Sequence, residues 1–396
     1  MVYLPSIQKV DGLRAWPLYS VQSTRQMEAH AQAELPTHTL MQRAGLATAR
    51  LAIAIAPHAR VIWIACGPGN NGGDGLEAAV HLHTWGKQPV VTWLGQPEHC
   101  PTDAGHAWQR AKEAGVTFSD HPPEHFDLAI DALLGIGTQR TPEGVMAQWL
   151  ETLQRTSQPV LCIDVPTGLQ ADTGVWLSNT AADTANTQRH TLSLLTLKPG
   201  LFTADGRDAA GHVWFNDLGV HDWQKHSSTA RLQQRKPTDI QRPHSSHKGS
   251  FGDVCILGGA QGMSGAAVLA GLAALHGGAG RVLVGLLDTT ERHTMCAYPT
   301  LMLTDASDLN LTNATVVCGC GGGEDIHAFM HHALSISERL VIDADGLNAI
   351  ARDTSLQRLL VQRNTRGKPT VLTPHPLEAA RLLQCTTPDV QNNRLW

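Results

Sequence analysis

Short apolar runs alternate with helix-length segments along nearly the whole chain, and this alternation limits the possible folds more than any other feature of the sequence. Val61 to Cys66, Pro89 to Leu94, Asp127 to Asp131, Pro159 to Asp164 and Thr191 to Leu197 read as short buried strands. Amphipathic segments at Ser23 to Ala33 and Leu40 to Ala56 precede them. Apolar runs separated by helices belong to a parallel sheet, because each parallel crossover needs a helix and the helices then cover both sheet faces. A second series follows at Val254 to Leu257, Arg281 to Leu286, Thr315 to Cys318, Arg339 to Ile342 and Thr370 to Leu372. The expected fold class is therefore α/β, with an N-terminal doubly wound parallel sheet and a second α/β domain. Between His221 and Lys248 the sequence turns polar and loses its period. A linker is placed at residues 222–246, dividing 1–221 from 247–396. The halves share no motif, so they read as two different domains rather than a duplication.

Charge and cysteine content narrow the function classes. Thirty Lys and Arg against 35 Asp and Glu give no field that attracts nucleic acid, so no nucleic-acid partner is expected. No stretch approaches the roughly 20 apolar residues of a membrane helix, and Met1 to Asp11 lacks the pattern of a signal peptide. No membrane partner is expected, and the localisation expected is cytoplasmic. The eight cysteines form no CxxC pair and sit mostly in apolar runs, which suits reduced, buried thiols. Cys318 and Cys320 alone do not make a metal site, since no second pair stands nearby.

The first strand, VIWIAC, runs into Gly67-Pro68-Gly69-Asn70-Asn71-Gly72-Gly73-Asp74-Gly75, and a helical pattern follows at once. Such a turn brings backbone N–H groups to an anion at a helix N-terminus. Gly67, Gly69 and Gly72 also satisfy GxGxxG, which raises the possibility of an NAD-dependent dehydrogenase. A Rossmann cofactor site further needs an acidic residue closing the second strand, and VVTWLGQ has none. Parallel sheets bind ligands beyond the C-terminal ends of their strands, where Asp74, Asp131 and Asp164 all fall. As structural residues, Asp74 and Asp164 would merely cap helices and shape turns.

The full GPGNNGGDG string resembles the NAD(P)H-hydrate epimerase family (YjeF N-terminal domain). The downstream segments LYSVQSTRQMEAHA, TLMQRAG, DALLGIG, IDVPTGLQADTG, LTLKPGLFTADGRDAAGHV and DLGV support the resemblance, which covers about Leu18 to Gly219. It implies a Rossmann-like domain that interconverts the R and S forms of hydrated NADH or NADPH (NAD(P)HX) at ring carbon C6. It also implies substrate contacts from Asn70, Asn71, Gly72, Gly73 and Asp74, from the loop Gly135, Ile136, Gly137, Thr138, Gln139, Arg140 and Thr141, and from Asp164. A potassium ion (K+) on Asn71, Asp131 and Thr167 is implied too. The carbon to be inverted bears a hydroxyl beside the ring nitrogen, so protonating that hydroxyl lets nitrogen expel water and leaves a planar iminium. Water then returns to either face. A carboxylic acid that gives and recovers one proton suffices, and Asp164 is the candidate. Lys198, in TLKPG, reads either as its charge partner or as a loop residue.

From His247 the string HKGSFGDVCILGGAQGMSGAAVLAGLAALHGGAGRV resembles the ADP/ATP-dependent NAD(P)H-hydrate dehydratases, which are ribokinase-like. CGCGGGED, VIDADGLNAI and VLTPHPLEAARLL agree with it. The resemblance carries Ala266, Gly321 and His375 over to binding of the hydrated cofactor, and ADP or ATP over as the nucleotide. Cys320 stands where proline is usual, and Leu377 where glycine is common after PHP. Nothing after Leu383 resembles the late glycine-rich GTGD-type segment that forms the anion hole and supplies the catalytic aspartate. The second domain is therefore expected to be an incomplete ribokinase-like domain that does not turn over and that exposes apolar surface. The combined expectation is an epimerase acting on a small molecule, assembled as a homo-oligomer. The alternative is a non-enzymatic nucleotide-binding scaffold.

Overall fold

The computed structural model describes residues 6–177, 188–220, 227–234, 242–288, 290 and 298–395. The chain divides into two compact units, Met1–Pro237 together with Asn392–Trp396, and Thr238–Gln391.

The first unit contains β1 (Gln8–Lys9), β2 (Trp16–Leu18), α1 (Val21–Glu34), α2 (Thr39–Ile55), β3 (Val61–Cys66), α3 (Asn70–Thr84), β4 (Gln88–Trp93), α4 (Thr102–Glu113) and β5 (Thr117–Phe118). It continues through β6 (Leu128–Ala132), α5 (Gly144–Arg155), β7 (Val160–Ile163), β8 (Arg189–Leu194), α6 (Gly206–Ala209), β9 (His212–Asn216) and β10 (Ala230–Leu232). Its main sheet has the order β1-β9-β8-β7-β6-β3-β4-β5. The strands are parallel except β1, which pairs antiparallel with β9. This is the expected doubly wound α/β sheet.

Side-chain alternation sorts β3 between two cores. Ile62, Ile64 and Cys66 pack with Leu51, Leu76 and Ala107 of α2, α3 and α4. Trp63 and Ala65 pack on the other face with Trp149, Leu150 and Leu153 of α5. Trp63 is fully buried, and its indole N–H donates to Thr92 Oγ1 at 2.9 Å. Winding runs outward from β3 to β5 on one side and from β6 to β9 on the other. The direction therefore reverses between β3 and β6, which is where a crevice opens beyond the strand ends.

Two strands stop earlier than the apolar runs suggest. β7 ends at Ile163 and β8 at Leu194, because Asp164 (φ 68°) and Leu195 (φ 63°) adopt left-handed backbone that cannot continue a strand. Within the segment expected as linker, Ala230–Leu232 forms β10 and pairs antiparallel with β2. Residues 222–226 and 235–241 of that segment lie outside the described ones.

The second unit contains β11 (Asp253–Gly258), α7 (Ser264–His276), β12 (Arg281–Leu286), β13 (Met302–Asp305), β14 (Thr315–Cys318), α8 (His327–Ile336), β15 (Arg339–Ile342), α9 (Ala344–Arg352), α10 (Thr354–Thr365), β16 (Thr370–Leu372) and α11 (Pro376–Leu383). The further helix α12 spans Thr387–Asn392. Its parallel sheet has the order β13-β12-β11-β14-β15-β16, so winding reverses between β11 and β14. A buried arginine organises one end of it. Arg363 donates to Leu334 O (3.0 Å) and Ser337 O (2.7 Å) at the C-terminus of α8 and to Thr370 Oγ1 (2.8 Å) on β16. Carbonyls that α8 leaves without helical partners are thereby satisfied. Val371 and Leu372 of β16, and Leu377 and Leu383 of α11, are exposed. Among the described residues, no helix is long and apolar enough to cross a membrane.

Candidate active site

The loop after β3 meets the loop after β6 at the reversal point of the first unit, and only glycine permits so close an approach. A Cβ on Gly67 would lie 1.8 Å from Leu133 O, and one on Gly72 would lie 2.0 Å from Gly67 O. Beside this contact is a cavity of about 380 Å³. Gly69, Asn70, Asn71 and Asp74 line it from the turn and α3, Gly135, Ile136 and Gly137 from the loop after β6, and Asp164 and Lys198 from the ends of β7 and β8. Most of the residues expected to touch substrate are thus brought together. Gly72 and Gly73 instead pack into the structure behind the cavity. Thr138 is buried and its hydroxyl donates back to Gly135 O at 3.0 Å, while Gln139 and Arg140 are exposed and, with Thr141, are not among the lining residues.

Asp164 and Lys198 form the charged floor. Lys198 is fully buried, and its ammonium donates to Asp164 Oδ1, to Leu194 O at 2.7 Å and to Ser193 Oγ at 3.4 Å. This favours the charge-partner reading of Lys198 over the loop reading. Asp164 also accepts from Leu194 N at 3.4 Å and, through Oδ2, from Ile136 N at 3.3 Å.

Asp131, next to last in β6, is buried. It accepts from Thr167 Oγ1 (2.6 Å), Thr167 N (2.9 Å) and Leu133 N (3.2 Å). Burial nevertheless outweighs these bonds and pushes its carboxyl above the usual range. Asn71 Oδ1 and Asp164 Oδ2 both lie 3.2 Å from where a Cβ on Gly135 would stand, and among the described residues the buried Asn71 Nδ2 has no partner. One carboxylate and two neutral oxygens, the donor types of Asp131, Asn71 and Thr167, have chemistry that fits a hard monovalent cation.

Three further charged residues line the cavity without having been singled out in the sequence: Arg25 and Glu28 of α1 and Asp103 of α4. Glu28 had a visible signal, because Thr24, Met27, Glu28 and Ala31 form an i, i+3, i+4, i+7 stripe and the other three are buried. A carboxyl on a core-facing stripe needs a reason to be there. Asp103, in the first turn of α4, looks like an ordinary helix-dipole residue and gave no such signal. Its carboxylate meets His38 Nδ1 at 2.6 Å, and the His38 ring stacks on His106 with centroids 3.9 Å apart.

In the second unit the loops after β11 and β14 also meet at the reversal point, with Gly259 N and Ala260 N donating to Cys320 O (3.1 Å) and Gly321 O (2.7 Å). A Cβ on Gly321 would lie 3.0 Å from Ala266 Cβ, so these two expected residues adjoin. His375 is engaged elsewhere, accepting from Leu377 N (3.2 Å) and meeting Glu378 (2.9 Å) as the N-cap of α11. Cys318 Sγ lies 3.5 Å from Met330 Sδ, and Cys320 Sγ 3.5 Å from Asp343 Oδ2.

A doubly wound sheet with a charged, partly closed crevice at its reversal point has the architecture of a nucleotide-handling α/β enzyme. Residues 37–200 match the family described as "YjeF-related protein N-terminus" and residues 254–395 the family described as "NAD(P)H-hydrate dehydratase". The chain is 33% identical over 381 residues to the bifunctional NAD(P)H-hydrate repair enzyme of Escherichia coli, covering 91% of this chain and 70% of that one. It is 34% identical over 394 residues to that of Vibrio cholerae, covering 95% and 77%. A solved ADP/ATP-dependent NAD(P)H-hydrate dehydratase from Bacillus subtilis aligns over 39% of this chain and 55% of its own, at 27% identity. Its TM-score of 0.32 is too low to carry an argument. The chain belongs to the bifunctional NAD(P)H-hydrate repair enzyme family, with an epimerase-type and a dehydratase-type domain. It is an enzyme, and the scaffold alternative is set aside.

Proposed function

We propose that the first unit equilibrates the R and S forms of NADHX and NADPHX in the cavity between β3 and β6. The observation that carries this reading is the Asp164–Lys198 pair, held on the floor of a cavity whose walls are the two glycine-rich loops. The reaction passes through a planar, cationic iminium, and Asp164 is the catalytic carboxylate that faces this charge. Asn70, Asn71 and Asp74, with Gly135, Ile136 and Gly137 of the loop after β6, hold the substrate. Asn71, Asp131 and Thr167 would hold potassium, whose positive charge would add to that of Arg189 in favouring the buried Asp131 carboxylate. Purified protein should equilibrate the two hydrates, resolved by chromatography, well above the spontaneous rate in potassium buffer. Equilibration at the spontaneous rate would refute the reading.

For the second unit, Ala266 and Gly321 at the β11–β14 reversal mark the hydrate-binding side of a dehydratase that uses ADP or ATP, while His375 serves chiefly to cap α11. Regeneration of NADH from the S hydrate on addition of ATP or ADP would support this part, and hydrate left unchanged by either nucleotide would count against it. We propose further that the protein works in the cytoplasm as a homo-oligomer, and sedimentation of the purified chain would test the assembly.

A further inference from the structure

We propose that the proton that moves during epimerisation is carried by Asp74, while Asp164 remains a carboxylate throughout. This assignment rests on the epimerase reading of the cavity.

The two carboxyls share one cavity but differ in their partners. Asp164 is committed as an acceptor, with donors from Lys198, Leu194 N and Ile136 N on its two oxygens. The other bonds of Lys198 go to neutral oxygens, so among the described residues Asp164 is its ion-pair partner. A carboxylate held in this way has no proton to give. Asp74 projects from the second turn of α3 into the same space, past the first turn where a carboxylate would serve as a cap. Among the described residues, no hydrogen bond or ion pair reaches its carboxyl. The charges that act most on it are four carboxyls, Asp164 beyond β7, Glu28 on α1, Glu77 on its own helix and Asp103 on α4, although Arg25 and Lys198 also line the cavity.

Burial first, and then these four carboxylates, hold the Asp74 carboxyl well above its ordinary range, so it keeps its proton. Glu28 is also raised by burial and by Asp164, but Lys198 and Arg25 act against that shift. Two carboxyls in opposed environments take the acid and the carboxylate roles of one reaction.

The step balances as follows. The Asp74 carboxyl gives its proton to the C6 hydroxyl, the C6–O bond breaks with its electron pair leaving on water, and the ring-nitrogen lone pair forms the C6=N1 iminium. Asp164 faces that cation. Water adds to the opposite face of C6, and the Asp74 carboxylate recovers the proton, so configuration is the only net change.

The test compares wild type with Asp74→Asn, Asp164→Asn and Glu28→Gln, each checked for folding by circular dichroism. Asp74→Asn is expected to lower kcat by about 10²–10⁴-fold with little change in KM. It should also abolish the enzyme-dependent exchange of the hydrate hydroxyl with ¹⁸O-labelled water. Wild-type rate should fall on the alkaline side as Asp74 loses its proton, and the residual rate of Asp74→Asn should not. Infrared spectra near neutral pH should show a protonated carboxyl band that Asp74→Asn loses and Asp164→Asn keeps. The proposal is overturned if Asp74→Asn keeps its rate within tenfold, if Glu28→Gln is the more damaging change, or if the infrared band is missing from wild type. Failure of wild type to equilibrate the hydrates would instead strike at the epimerase reading, and the infrared band would still decide which carboxyl holds the proton.

Discussion

Replacing Lys198 by methionine keeps the length of the side-chain stem and removes the ammonium from a site with no solvent access. Asp164, only 8% exposed, would then depend on two long backbone contacts, 3.3 Å from Ile136 N and 3.4 Å from Leu194 N. Removing one partner of a buried pair costs about 3–5 kcal/mol, chiefly because the other charge is left buried and uncompensated. Against a typical domain stability of about 5–15 kcal/mol, that is a third or more of the total. Asp164→Asn alone should cost a similar amount by stranding the ammonium. The double variant removes both charges and leaves chiefly Leu194 O without its donor, at about 1–3 kcal/mol. The double variant should therefore be no worse than either single one, with a coupling energy of at least about 2 kcal/mol. Urea unfolding followed by tryptophan fluorescence suits the measurement, because nine of the ten tryptophans lie within residues 1–237 and none within 238–391. If the two single costs simply add in the double variant, the charges do not depend on one another and the argument for a paired floor fails.

Asp131→Ala should raise KM and abolish any difference in rate between potassium and lithium buffers, whereas an unchanged potassium response would show that the ion does not sit on this carboxylate. Asp74 binds its proton more tightly folded than unfolded, so its contribution to stability is full below the ordinary carboxyl range and is lost as pH rises through its raised value. Asp74→Asn should flatten that decline in a series of melts, and a decline that persists would refute the assignment. Arg363→Met removes the donor to Leu334 O and Ser337 O and should destabilise the second unit by on the order of 3 kcal/mol, read as loss of helical signal at lower urea while tryptophan fluorescence is unmoved. Limited proteolysis should cut the second unit first, since Val371, Leu372, Leu377 and Leu383 are exposed on β16 and α11; initial cleavage within residues 61–163 would reverse that order.

Much of the fold was legible because buried parallel strands are apolar on both faces. The runs at Val61, Arg281, Thr315, Arg339 and Thr370 coincide with β3, β12, β14, β15 and β16 at both ends. Short or edge strands carry no such run. β1 and β5 have two residues each, β10 three, and β13 begins with an exposed Met302, so pairing with a neighbour rather than composition makes them strands. The site divides along the same line. Asp164, Asp131 and the turn 67–75 follow strands whose ends could be read, whereas Arg25, Glu28 and Asp103 reach the cavity from helices whose orientation only tertiary packing decides.

Backbone strain locates the site independently of any motif. Seven described non-glycine residues have positive φ, and three of them, Asp164 (68°), Leu195 (63°) and Leu218 (53°), line the one cavity where the loops after β3 and β6 meet. Leucine is a poor residue for left-handed backbone, since its Cβ crowds the following carbonyl, and each such position costs on the order of 1–3 kcal/mol. A fold tolerates that cost where something else fixes the geometry. Here the turn at Leu195 lies between Leu194, whose carbonyl takes one hydrogen bond from Lys198, and the segment that returns Lys198 to Asp164. The turn at Asp164 sets the carboxylate itself beneath Ile136 N. Relaxing either residue to ordinary extended backbone would carry Asp164 and Lys198 away from each other. The strained turns and the buried ion pair therefore support one another, and a sequence reader looking for left-handed positions at glycine and asparagine has no means of finding them at leucine.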